Sequence, residues 1–342
     1  MRHLLNTLYV TTQGSYLSKE GETVCVRVEK ETKLRLPFHN LGGVVCFGQV
    51  SCSPYLMGAC AEKDILISFL TEHGRFLARV SGPVSGNVLL RRAQYRCADA
   101  PEFCASVAKS IVVGKVANSR AVLTRAIRDH PGEGTAPLQE AAKHLRRVLN
   151  SMRETPELDS VRGIEGDAAR EYFSVFDHLI VAQRDAFSFA GRSRRPPMDP
   201  VNALLSFIYT LVLHDVTAAI ESVGLDPAVG YLHRDRPGRP GLALDLMEEL
   251  RAYIADRLAL SLINRRQVEA KGFDITESGG VTMDEETRKT VLTAYQRRKQ
   301  EEITHPFIDE KMPLGLIPFV QALLFARLLR GELDAYPPFL WR

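Results

Sequence analysis

The stretch Ser81-Gly82-Pro83-Val84-Ser85-Gly86 divides the chain into two parts whose apolar residues follow different periods. Before it, short runs rich in Val, Phe, Tyr and Thr alternate with Gly, Ser, Asn and charged turns, which is typical of β-strands. After it, apolar residues recur every three or four positions, which is typical of helices. We therefore predict an α+β chain, with a small β domain over 1–85 and a larger all-α domain over 86–342.

The elements expected on each side follow from the same periods. The predicted strands are 4–11, 23–28, 43–48, 64–70 and 74–80. A short helix is expected over 53–63, because Ser53 can cap it and Pro54 suits its first position. The predicted helices of the second part are 88–96, 101–129, 136–152, 166–182, 200–223, 244–266, 284–300 and 314–330.

The composition is that of a globular protein. The chain has 342 residues, of which 45% are hydrophobic and 25% charged. No apolar run approaches the roughly 20 residues of a membrane span, and the N-terminus lacks a signal-peptide core, so we expect a cytoplasmic protein outside the membrane. All six cysteines precede residue 105 without Cys-x-x-Cys spacing, which predicts reduced thiols.

A basic, turn-rich stretch, Gly230-Tyr-Leu-His-Arg-Asp-Arg-Pro-Gly-Arg-Pro-Gly241, runs into a helix with several acids. Asp245, Glu248 and Glu249 are three and four residues apart, so all three can project toward the side from which the His233 loop arrives. Carboxylates with a neutral imidazole suit Mg²⁺ or Mn²⁺. Taken singly, His233 fits an ordinary loop histidine, and Asp245 with Glu248 fits a solvated first turn of a helix. The occurrence of all of them together favours a metal site.

Three arginines of the same loop lie beside this candidate site: Arg234, Arg236 and Arg239. Guanidinium groups bind phosphodiester oxygens well, so these residues are candidate DNA ligands. The net charge of +3 is uninformative by itself. Any nucleic-acid binding would therefore depend on local arginine clusters of this kind.

A further acid, Glu165, stands between Gly163 and Gly166, just before the predicted helix 166–182. The flanking glycines allow close backbone approach, so this arrangement can present Glu165 at a helix N-terminus into a cleft. An acid at that position is also a common partner of the helix dipole. The spacing alone leaves both interpretations open.

The pair His214-Asp215 offers an alternative metal motif, found in helical phosphohydrolases. Such sites need further His and Asp ligands from neighbouring helices. The apolar residues 211–216 around the pair favour a core position instead.

Four motifs together resemble the CRISPR-associated integrase family of spacer acquisition (Cas1). They are Gly163-Ile-Glu-Gly-x-Ala-Ala-Arg-x-Tyr-Phe173, Asp199-Pro-x-Asn-Ala-Leu-Leu-Ser-Phe207, Gly230-x-x-His233 and Leu244-Asp-Leu-Met-Glu248. The motifs stand in family order and span nearly the whole chain. The sequence from Leu232 to Arg251 most resembles that of members from type I-C systems.

This resemblance implies an N-terminal β-sandwich joined to a helical catalytic domain, and a homodimer that associates with the small adaptation partner protein (Cas2). It implies Glu165, His233 and Glu248 as metal ligands, with Asp245 as a neighbouring acid that supports activity. The implied reaction is metal-dependent attack of a DNA 3'-hydroxyl on a phosphodiester, on double-stranded and branched DNA. The rival hypothesis is a non-catalytic, arginine-studded DNA-binding scaffold whose acids cap helices and pair with arginines.

Overall fold

The computed structural model describes residues 6–63, 65–80, 82, 88–152 and 157–341. Its N-terminal part is built from strands and its larger C-terminal part is mainly helical, which confirms the predicted α+β class. The predicted boundary falls largely on Ser81 and 83–86, which lie outside the described residues. The division at residue 85 therefore stays a prediction.

Two four-stranded sheets form the N-terminal part, with strand orders β1-β5-β7-β8 and β4-β3-β2-β6. The strands are β1 (Asn6–Val10), β2 (Tyr16–Glu20), β3 (Thr23–Val28), β4 (Glu31–Pro37), β5 (Leu41–Phe47), β6 (Ser51–Cys52), β7 (Leu66–Leu70) and β8 (Phe76–Val80). Helix α1 (Pro54–Glu62) begins where predicted, because the Ser53 side chain accepts a hydrogen bond from the Leu56 backbone N–H. Apolar residues of both sheets share one core.

Strands β2 and β4 were not predicted. Their sequences, YLSKE and ETKLRLP, are polar, and β4 is almost entirely exposed. Both are held by antiparallel pairing with β3, whose Val24 and Val26 lie in the core with Leu17 of β2. Pairing with an apolar neighbour is a tertiary effect that the period of a single segment does not reveal.

The helices of the C-terminal part agree closely with the predicted ones, except around Glu165 and after α7. They are α2 (Val88–Ala98), α3 (Pro101–Asp129), α4 (Ala136–Ser151), α5 (Leu158–Ser174), α6 (Pro200–Ser222), α7 (Gly241–Leu250), α8 (Arg257–Asn264), α9 (Glu285–Gln300) and α10 (Ile317–Leu329). The prediction of an all-α second part is wrong in detail. Two short hairpins interrupt it: β9 (Phe273–Ile275) with β10 (Val281–Met283), and β11 (Glu302–Thr304) with β12 (Lys311–Pro313).

A π-helical turn, Arg251–Asp256, separates α7 from α8, where one continuous helix was predicted. Its residue Asp256 is fully buried and accepts hydrogen bonds from the hydroxyls of Tyr172 and Tyr209. Such turns are rare and are frequent at functional sites. This one follows directly after the acids of α7.

Helix α6 lies in the centre of the C-terminal core. Its length and a mean hydropathy of 1.7 meet the criteria for a membrane span, so the expectation that no segment approaches them is wrong. However, 61% of the apolar window is buried inside the protein. That burial is typical of a core helix, and the same length and composition recur in the centres of soluble folds.

Candidate active site

Three helices bring the proposed acids together. Glu165 lies on α5 and Glu248 on α7, and both contact the ammonium of Lys115, which lies on α3 between them. The distance from Lys115 Nζ to Glu248 Oε2 is 2.8 Å. The Glu248 side chain is 3% exposed and that of Lys115 12%, so these charges meet largely away from water.

Glu165 does not lie at a helix N-terminus, as the sequence analysis had suggested. Helix α5 begins at Leu158, so Glu165 and both flanking glycines are in its interior. A Cβ added at Gly163 or Gly166 would meet nothing within 4 Å, so no close approach requires either glycine. The packing of α5 against α3 and α4 outweighs the roughly 1 kcal/mol that each interior glycine costs.

The His233 loop is closed at its base by two glycines. A Cβ on Gly230 would lie 2.6 Å from the His233 carbonyl oxygen, and one on Gly241 would lie 2.7 Å from the Ala228 carbonyl oxygen. Side chains at these positions would force the two ends of the loop apart. The glycine spacing in the sequence therefore has a steric cause.

The Asp245 carboxylate holds the first residues of this loop after Gly230. It accepts hydrogen bonds from the backbone N–H groups of Tyr231, Leu232 and His233, at 2.6, 3.0 and 2.9 Å. Its Oδ1 also lies 2.6 Å from His233 Nδ1. The other ring nitrogen, Nε2, is thereby directed toward Glu248, 3.9 Å from its Oε1. Asp245 thus orients the histidine and lies behind it.

Glu248 is ionised despite its burial. Burial alone would raise its pKa, but the Arg251 guanidinium, the Lys115 ammonium and the neighbouring His233 together hold the pKa of Glu248 well below its usual range. Arg251 Nη2 lies 3.0 Å from Glu248 Oε1. The two oxygens of Glu248 therefore face different cations.

Glu249 does not share this site, so the expectation that it faces the His233 loop is wrong. Its carboxylate points to a different side of α7, where it accepts hydrogen bonds from the Tyr336 hydroxyl and the Phe339 backbone N–H at 2.5 and 2.7 Å. Burial raises the pKa of Glu249 to about 7. Adjacent residues on a helix point about 100° apart, which separates the two acids.

The donor set suits a divalent cation. The carboxylates of Glu165 and Glu248 meet at Lys115, and His233 Nε2 lies 3.9 Å from the other oxygen of Glu248. The buried Glu248 Oε2 makes no hydrogen bond of good geometry within the described residues, only the ionic contact with Lys115. The described part of the chain holds no three His, Cys, Asp or Glu side chains already spaced as a ligand set. Both carboxylates instead contact the Lys115 ammonium. The residue types fit such an ion once Lys115 has moved.

The loop arginines divide into two groups. Arg236 and Arg239 line a groove of about 1830 Å³ between the sheet containing β7 and β8 and the helical part. Arg234 instead pairs with Asp159 on α5, at 3.0 Å. Other arginines of the groove were not predicted as ligands: Arg75, Arg79, Arg192, Arg194, Arg195, Arg251 and Arg288. Arg192, Arg194 and Arg195 form a local cluster in the sequence, but the others come from separate segments, so the sequence does not indicate that all seven share a surface.

The model of the family "CRISPR associated protein Cas1" matches residues 8–297 of the chain. The chain belongs to the Cas1 family.

Individual Cas1 relatives agree with this assignment. The CRISPR-associated endonuclease Cas1 1 of Chlorobaculum tepidum is 58% identical over 343 residues and covers 100% of both chains. The resemblance to type I-C members of the Cas1 family stays a prediction.

Two solved structures share the fold. A casposase bound to integration product has a TM-score of 0.84 at 21% identity, over 99% of this chain and 95% of the other. A Cas6-RT-Cas1–Cas2 complex contains a chain with a TM-score of 0.82 at 22% identity, over 98% of this chain and 36% of the other. At these identities the likeness concerns the fold alone.

His214 and Asp215 lie apart from the Cas1 acids. His214 Nδ1 lies 2.9 Å from the Ser68 hydroxyl of β7. Asp215 contacts Lys299 and the Tyr295 hydroxyl, each at 2.8 Å. These partners are not the additional His and Asp ligands that a phosphohydrolase site needs. His214 instead joins α6 to the N-terminal sheet, and Asp215 joins α6 to α9.

We expect His214 to make the fold less stable in acid. Burial lowers the pKa of His214 to about 4, below the usual 6.5. Between pH 6.5 and 4, His214 is therefore protonated in the unfolded chain but neutral in the folded chain. The free energy of unfolding falls as pH falls through that window, by at most about 3 kcal/mol. Urea unfolding of the wild type and His214→Gln at pH 7 and pH 5 should show a smaller loss in the variant. Equal losses would contradict the assignment.

Proposed function

We propose that this chain is a divalent-metal-dependent DNA endonuclease and integrase of CRISPR adaptation. In this role it joins the 3'-hydroxyl ends of short DNA to a repeat array by transesterification. The meeting of Glu165 and Glu248 at one cation, Lys115, with the His233 ring directed toward Glu248, carries the proposal. The endonuclease name of a relative at 58% identity supports the same class of chemistry.

Glu165, His233 and Glu248 would hold the metal ion, Mg²⁺ or Mn²⁺. When bound, such an ion orients the attacking oxygen and stabilises the charge that develops on the phosphoryl group. The residues of the chain supply the rest. Asp245 fixes the His233 ring, and Arg251 keeps Glu248 ionised and in place.

The groove offers a path for DNA to this site. Arg192, Arg194 and Arg251 line both the groove and a cavity of about 410 Å³ that Lys115, Glu165 and Glu248 also line. A phosphodiester chain in the groove would therefore meet guanidinium groups on its way to the acids. The groove supports a catalytic function over a scaffold that only binds DNA, because it leads to the convergent acids.

The same proposal includes a homodimer, association with Cas2 and a cytoplasmic location. Strand β8 is an edge of its sheet, and its residues Phe76 and Leu77 are 54% and 53% exposed. An exposed apolar edge strand is suited to pairing with another chain. One structural neighbour is a complex that contains both Cas1 and Cas2.

Strand joining on branched DNA tests the catalytic proposal. The purified protein, with and without its small partner, is given a labelled DNA with a free 3'-hydroxyl and a target duplex carrying a repeat. We expect products in Mg²⁺ or Mn²⁺ and none in a chelator. DNA binding without any metal-dependent joining or cutting would favour the scaffold.

The arginines of the groove should determine the salt dependence of DNA binding. In the double variant Arg236→Ala/Arg239→Ala we expect weaker duplex binding and a log–log salt slope reduced by about 2, since each phosphate contact contributes about 0.9. Fluorescence anisotropy at several salt concentrations measures both quantities. The exposed pair Arg265/Arg266, changed in the same way, serves as the control and should leave the slope nearly unchanged. An unchanged slope in the first variant would remove these arginines from the DNA path.

A further inference from the structure

Lys115 places a positive charge between the two carboxylates proposed as metal ligands. Its Nζ contacts Glu165 Oε1 and lies 2.8 Å from Glu248 Oε2. The lysine is on α3, whereas the acids are on α5 and α7, so this one ammonium joins three helices. A divalent ion held by the same two carboxylates would need the same space.

The charges around this position favour one cation there, and not two. Two ionised carboxylates facing each other with nothing between them repel, which makes a vacant position unfavourable. Arg251 neutralises Glu248 from its other oxygen and need not move. A divalent ion beside the ammonium would instead bring two cations together in a largely buried site, where their repulsion is poorly screened.

Lys115 can leave this position by rotating its own side chain. A lysine ammonium is a compact charge on a flexible four-carbon stem. The cavity of about 410 Å³ beside it is also lined by Arg192 and Arg251, so it can accept an anionic group. An ammonium that has left the carboxylates is well placed to bind a phosphate there.

We propose that Lys115 and the divalent ion exchange between Glu165 and Glu248, and that the displaced ammonium binds a phosphate of the DNA. This inference rests on the proposed metal-dependent function. In the metal-free protein Lys115 keeps the two acids together. In the loaded protein it becomes a ligand of the substrate.

The exchange makes two predictions about binding. Without DNA, the ion has to displace Lys115, so the lysine weakens metal binding. With DNA, a phosphate stabilises the displaced ammonium, so DNA tightens metal binding and, by thermodynamic linkage, metal tightens DNA binding by the same factor. Direct contact between the ion and a DNA phosphate also couples metal binding to DNA binding. Removal of Lys115 should therefore make this factor smaller without abolishing it.

Mn²⁺ binding measured by electron paramagnetic resonance, which detects free Mn²⁺ without any activity, tests the exchange. In the variant Lys115→Met we expect Mn²⁺ to bind about tenfold more tightly than in the wild type when DNA is absent, because an opposing charge has been removed. Adding duplex DNA should tighten Mn²⁺ binding less in the variant than in the wild type. Lys143→Met is the matched control, since Lys143 lies 2.7 Å from Glu140 in an exposed pair on α4, and it should bind Mn²⁺ as the wild type does.

Each result decides a different point. Unchanged or weaker Mn²⁺ binding by Lys115→Met would overturn the exchange and leave the metal ligands in place. Absence of Mn²⁺ binding in the wild type and in the variant would overturn the proposed function and the exchange together. If Lys115→Met does not fold, as judged by circular dichroism, Lys115→Gln replaces it. Folding of these variants only with Mn²⁺ would support the exchange, and failure to fold with Mn²⁺ would overturn it.

Discussion

Replacing Glu248 with alanine should abolish strand joining in Mg²⁺ or Mn²⁺ and leave DNA binding nearly intact. The variant loses a carboxylate that is 3% exposed and contacts both Lys115 and Arg251. Loss of a group that only orients a metal ligand already costs about 10- to 100-fold in activity or affinity, so loss of the ligand itself should exceed about 100-fold. Joined product and anisotropy of labelled DNA measure the two properties separately.

DNA binding by this variant can even tighten slightly, because a negative charge that repels phosphate has been removed. The control is Glu286→Ala, which removes an exposed acid from the first turn of α9 and should leave both measurements unchanged. Strand joining by Glu248→Ala at the wild-type level would show that the metal assignment is wrong and would favour the scaffold hypothesis.

Replacing Asp245 with asparagine should reduce both stability and activity. One oxygen of this buried carboxylate accepts the backbone N–H groups of Tyr231 and Leu232, and the other faces His233. An asparagine NH₂ group has to face donors on one of these sides. Leaving buried donors unsatisfied costs about 2–3 kcal/mol of unfolding free energy. Misorientation of the His233 ring should lower strand joining by about 10- to 100-fold.

Urea unfolding and strand joining in saturating Mn²⁺ measure these effects on the same sample. Asp274→Asn, in the exposed strand β9, is the control for the chemical change alone. A variant that loses activity but unfolds like the wild type would show that Asp245 contacts the substrate or metal and does not act through the loop. A variant that loses neither would contradict the role assigned to the carboxylate.

The sequence predicted the helices well because their apolar periods are long. It also indicated Glu165, His233, Asp245 and Glu248 as candidates from their motifs. It did not indicate Lys115, because a lysine in the middle of the long helix α3 looks like any solvated position. Its role depends on how α3 packs against α5 and α7, which is tertiary information.

Two errors have local causes. The glycines beside Glu165 favoured a helix start, but packing carries α5 through both of them. Glu249 was placed with Glu248 because the two lie four and three residues after Asp245, a spacing that can put both on its helix face. The structure separates them through the direction of each side chain, with Glu249 held by Tyr336 and Phe339 far along the chain.

The π-helical turn after α7 determines which face of α8 is directed toward the core. An i→i+5 turn holds one residue more than an α-helical turn, so α8 is rotated by about 100° relative to a continuous α-helix. Deleting one residue between Arg251 and Asp256 would restore the regular phase and turn Leu258, Leu262 and Ile263 out of the core. The length of this turn is therefore as specific a requirement as the identity of the acids before it.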